Sequence, residues 1–67
     1  MRITKSLSVG SENGLLINYI EGNIDSSEDK PTEQIAEGSI LVETDTGDVY
    51  FFSENANAWI KQFSFQG

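Results

Sequence analysis

The sequence holds no cysteine, no histidine, a single proline, and only four basic residues against eleven acids. Each shortage removes a class of explanation. Without cysteine there is no disulfide and no thiolate metal site. Without histidine the commonest transition-metal ligand and general base is missing. The four bases, Arg2, Lys5, Lys30 and Lys61, are scattered along the chain. Nucleic-acid binding depends on clustered cations that neutralise phosphates, so neither DNA nor RNA is an expected partner. Nor, on the same ground, is an anionic membrane surface an expected partner. No apolar run approaches the ~20 residues of a spanning helix. The opening MRITKSLSVG lacks the continuous apolar core of a signal peptide, so the expectation is a soluble chain made in the cytoplasm.

At 67 residues there is room for one domain, expected over residues 1–67. A chain of this size buries only ~60% of its unfolded surface and is marginal alone. Small scaffolds usually add a disulfide, a metal or a partner. With thiols and imidazoles absent, association with further copies is the remaining device.

What is present is alternation and turn chemistry. Residues 2–9 place Ile3, Lys5, Leu7 and Val9 on one side of an extended chain and Arg2, Thr4, Ser6 and Ser8 on the other, a period of two that predicts a strand. Lys5 interrupts the apolar side, which suits a sheet edge. Asn13-Gly14 is a strong turn dipeptide. Residues 15–21 predict a second strand, apolar on both faces, hence central or covered by a neighbouring chain. Residues 39–44 and 49–53 predict a third and a fourth strand, with Asp45, Thr46 and Gly47 as the hairpin turn between them. Residues 59–65 predict the fifth. The long connection, residues 22–38, carries Asp25, Glu28, Asp29, Glu33 and Glu37 with the lone Pro31. It reads as a polar acidic loop, either a solvated linker or an exposed contact arm, with one weak signal for a helical turn after Pro31.

No catalytic constellation emerges. Serine is plentiful but has no histidine to serve as its base. Glu43, Asp45 and Asp48 lie close in sequence, yet their spacing does not match an EF-hand loop, and turn residues bonding their own backbone account for them equally well. The protein is therefore not expected to be an enzyme, and no cofactor or metal is expected. The aromatics are more informative. Tyr50 and Phe52 alternate with Val49 and Phe51, so both faces of that strand are apolar. Either the sheet closes into a small barrel with scattered exposed aromatics, or a subunit interface covers the second face. Face counting nominates Tyr19, Tyr50, Phe52, Trp59 and Phe63 for that interface.

The stretch GSILVETDTGDVYFFSENANAWIKQ, residues 38–62, resembles a module of tailed-phage virion proteins: a glycine, a strand, a DTG turn, an aromatic strand, and a tryptophan after a polar gap. The matching positions are Gly38, Asp45, Thr46, Gly47, Tyr50 and Trp59. The lead-in KPTEQIAEGS, residues 30–39, and the N-terminal RITKSLSVG with NGLLINY are similar to small phage structural proteins of the head-fibre or decoration type. The resemblance implies a symmetric, often trimeric, β-rich unit without catalytic residues, attached to a capsid or a larger fibre. The expectation is thus an all-β domain, a small antiparallel sheet or barrel-like unit of about five strands in hairpins, intertwined as a trimer. Its partners would be its own copies and a capsid or other virion protein, its place the virion. The alternative is a monomeric, phage-encoded acidic protein that binds a host protein, its charge steering it to a basic partner.

Overall fold

The computed structural model describes residues 1–65. They form five strands, β1 (Arg2–Glu12), β2 (Leu15–Ile24), β3 (Ile40–Glu43), β4 (Asp48–Ser53) and β5 (Ala58–Ser64). One sheet contains them all, in the order β1-β2-β3-β4-β5. The turn residues explain the hairpins. Asn13 and Gly14 both take positive φ, 54° and 78°, the two left-handed positions of a two-residue hairpin turn whose twist matches the flanking strands. Residues 44–47 join β3 to β4. There Gly47 closes the turn at φ 79°, and its N–H donates to the Glu43 carbonyl at 2.7 Å.

The all-β expectation holds, but the antiparallel one does not. β1–β2, β3–β4 and β4–β5 are antiparallel, whereas β2 and β3 run parallel, Glu21 opposite Ile40 and Ile24 opposite Glu43. Parallel neighbours need a crossover of roughly a dozen residues or more, and residues 25–39 supply one. The sheet is mixed. Nor is it a barrel: β1 and β5 are open edges at opposite ends of the order. β1 at an edge agrees with its interrupting Lys5.

β2 continues through Gly22 to Ile24, three residues past its expected end at Glu21. Glycine there marks close approach of backbone rather than a break. A Cβ on Gly22 would sit 2.3 Å from the Arg2 carbonyl oxygen, beside the register shift between Ile3 and Lys5. The crossover forms no helix after Pro31; Gln34 instead turns the chain at φ 62°. It then runs briefly beside β2. The Asn18 N–H donates to the Gln34 carbonyl and the Asn18 carbonyl accepts from Ala36, at 2.9 and 2.8 Å. Ala36 and Ser39 are buried. The Ser39 hydroxyl accepts from the Ile20 N–H at 3.0 Å and donates to the Ala36 carbonyl at 2.9 Å.

Register divides the sheet into two faces. One carries Ile20, Gly22, Ile24, Leu41, Glu43 and Phe52, all buried, and the crossover reaches over part of it. With Ala36 and Val49 these apolar groups are the core. Every residue of β1 is exposed, so β1 and the first half of β2 project beyond the core. Eleven residues at ~3.4 Å each span ~37 Å, close to the molecule's longest dimension of 40 Å.

Candidate functional site

The crossover is fastened by a charged clamp on the covered face. Glu43 is 5% exposed; Lys30 donates to its carboxylate at 2.5 Å and Thr46 Oγ1 donates to its other oxygen at 2.8 Å. Those two hydrogen bonds hold the Glu43 carboxyl below its ordinary value, against the opposing effect of burial. The Lys30 ammonium also lies 4.2 Å from the Tyr50 ring centroid, a cation–π contact. Next along the crossover, the Pro31 carbonyl accepts from Trp59 Nε1 at 2.7 Å. The Trp59 ring meets Phe52 edge-on, centroids 5.2 Å apart. Asp45 in the β3–β4 turn accepts from the Ser26 hydroxyl and N–H, and the hydroxyl bond leads in lowering its carboxyl below the usual range. Three of the turn-region residues weighed as ion ligands are thus engaged separately: Glu43 with Lys30, Asp45 with Ser26, and Asp48 3.6 Å from Lys61. Among the described residues no group of three acids converges to hold a metal ion.

The nominated interface residues do not share one surface. Phe52 is 3% exposed and belongs to the core. Tyr50 and Trp59 lie half-buried on the same covered face, engaged by Lys30 and Pro31. Tyr19 and Phe63 lie on the opposite face. For Phe63 the cause is a bulge. Simple alternation along β5 would put it with Trp59 and Lys61, but Tyr50 pairs with Lys61 and Val49 with Phe63. The register shift moves Phe63 to the side of Val49 and Phe51. Tyr19 donates its hydroxyl to the Glu21 carboxylate, and that bond, more than burial or the neighbouring charge, raises its pKa.

Among the described residues no layer covers the second face. Following the register across all five strands gives one row of Lys5, Glu21, Ile40, Phe51 and Ile60, and another of Arg2, Asn23, Val42, Val49 and Phe63. On β3, β4 and β5 every member of both rows is apolar. Phe51 is 38% exposed, Ile60 44% and Phe63 49%. Val49 is the buried exception, at the bulge opposite Phe63. Phe65 packs edge-on against Phe63 at 5.3 Å and is itself exposed. Leu7, opposite Tyr19 on the same face, is half exposed. Scattered exposed apolar groups are ordinary, whereas a contiguous block on one face is the kind of patch that marks interaction sites. Face counting nominated none of Phe51, Ile60 and Leu7, which the structure leaves exposed on this face, although alternation along β4 already separates Phe51 from Phe52. Glu21 is the one acid in these two rows. The crossover acids Asp25, Glu28, Asp29, Glu33 and Glu37 are all exposed, and they lie outside the rows.

Compared with protein-family models, with curated proteins and with solved structures, the chain matches none.

Proposed function

We propose that this chain is a structural subunit that works by assembling with its own copies through the open face of its sheet. The observation that carries the reading is the uncovered block of Ile40, Val42, Phe51, Ile60 and Phe63 on a molecule whose other face supplies its core. A small domain with one thin core gains stability by covering such a block. The low charge of the block favours this, since like charges do not oppose one another across the seam. In the setting that the DTG turn, aromatic strand and Trp59 resemble, the assembly is a trimer serving as a phage virion structural or decoration protein. It would attach to a capsid or fibre component and carry out no catalysis.

The test is light scattering behind size exclusion, repeated over a wide dilution range. The expected result is a stable mass of three chains. A folded monomer at every concentration overturns the assembly reading. It would favour the host-binding alternative, for which the exposed acids of the crossover offer a surface to a basic partner.

A further inference from the structure

β3 is much shorter than β2, and the sheet has a notch above it. One wall is the β1–β2 hairpin tip, the other the β4–β5 turn, and the crossover at Thr32–Ile35 forms the base. The notch is an open groove of about 500 Å³, within the ~300–1,000 Å³ of small-molecule sites. We infer that this groove binds a neutral saccharide, a role separate from assembly through the open face.

The lining argues for that chemistry. Ile17, Ile35 and Phe52 give it an apolar floor. Around them stand the side-chain amides of Asn13, Gln34, Asn55 and Asn57, with the carboxylates of Glu12 and Glu54. No hydrogen bond engages any of these six side chains among the described residues, although other polar side chains of the crossover and turns are paired. Each amide both donates and accepts, and each carboxylate accepts twice. Adjacent sugar hydroxyls, which also donate and accept, match such an array, and the C–H face of the ring matches the floor. Other ligand classes fit less well. No Lys or Arg lines the groove, and two carboxylates there repel phosphates and acidic sugars. A purely apolar ligand would strip water from the amides without replacing its hydrogen bonds.

The base and the β4–β5 wall are held by bonds that leave the lining side chains free. Gln34 is fixed through its backbone carbonyl to Asn18. Pro31, beside Thr32, is fixed by Trp59. The Glu54 N–H donates to the Glu37 carboxylate at 3.0 Å. Asn13, Gln34 and Asn57 are also the non-glycine residues with positive φ among the described residues, so each wall turns sharply at the groove. A site whose walls are already placed loses less ordering entropy on binding.

The test is a chemical-shift titration of the ¹⁵N-labelled full chain with methyl β-glucoside, methyl β-galactoside, methyl α-mannoside and diacetylchitobiose. Glucuronate serves as the charged comparison. At least one neutral sugar should shift the side-chain amides of Asn13, Gln34, Asn55 and Asn57 and saturate in the millimolar range. Glucuronate should bind about tenfold more weakly or worse. Asn55→Ala should raise Kd about tenfold with Tm unchanged, and Gln62→Ala, away from the groove, should leave Kd unaltered. No saturable shift with any sugar of the panel overturns the inference, as does saturation that survives Asn55→Ala and Thr32→Ala unchanged. Running the titration on Phe51→Ser as well separates this result from assembly. Loss of the oligomer with the sugar shifts retained is the expected result; loss of both would overturn the separation of the groove from assembly.

Discussion

Lys30 shows how much can rest on one residue of an apparently solvated loop. Its ammonium satisfies a nearly buried carboxylate, covers the Tyr50 ring, and pins the crossover to the sheet. Lys30→Met keeps the aliphatic stem and removes the charge, leaving Glu43 buried and unpaired. The expected cost is about 3 kcal/mol, the lower end for breaking a buried pair, read as a lower urea midpoint at unchanged slope. Replacing both partners, Lys30→Met with Glu43→Leu, should recover most of that loss; a double variant as weak as the single one would contradict the account. The same pair sets a pH response. Glu43 and Asp45 titrate below their ordinary values of 4.5 and 3.8 in the folded chain. Their contribution is therefore complete above those values and fades as pH falls through the lowered ones. Tm should decline in acid, from about pH 5 downward, and less steeply in the double variant. None of this was legible in the sequence, where Glu43 sits in an acidic turn-like run and Lys30 in a charged loop. Pairing across 13 positions depends on where the crossover lands, and no local pattern encodes that.

For the strands, the sequence was a good guide where chemistry is local. Period-two alternation and the Asn-Gly and Asp-Thr-Gly turns place the hairpins within a few residues of their observed limits. Direction across the long connection was not legible, because a crossover and a polar hairpin loop share the same composition. Two irregularities were also hidden. The bulge in β5 reverses the facing of Phe63, and Gly22 looked like the end of β2 when it is the point where β1 comes closest. Gly22→Ala should push β1 from the sheet, costing about 2 kcal/mol as an overpacked contact. Amide exchange should then rise in β1 and in the facing half of β2 more than in β4. Equal loss of protection across the whole sheet would show that β1 is not displaced separately.

At the scale of the molecule, two adjacent phenylalanines make opposite predictions. Phe52→Ala hollows the core and should cost about 3–5 kcal/mol, enough to unfold a domain this small. Phe51→Ser touches the open face, and it should leave the monomer folded while raising the dissociation constant of the assembly tenfold or more, about 1.4 kcal/mol. Light scattering with a thermal melt distinguishes the two outcomes. Matching losses of fold in both variants would mean that the open face is part of the monomer's own core. The sequence did announce a two-sided sheet through Val49-Tyr50-Phe51-Phe52. It did not say which side the chain covers itself, because that depends on the path of residues 25–39.

The parallel pairing of β2 with β3 also orders events in time. The β1–β2 and β4–β5 hairpins close locally, on the microsecond scale of ~1–10 μs. Residues 21–24 meet 40–43 only after the intervening loop has closed, and that entropy must be met before the contact stabilises anything. During synthesis β1 and β2 emerge first and form a ribbon with no core beneath it. Ile20 and Ile24, buried in the finished sheet, stay in water until β3 and the crossover close on them. The nascent chain is thus most prone to aggregate while β2 waits for β3, and the closing of that one short strand ends the exposure of these two residues.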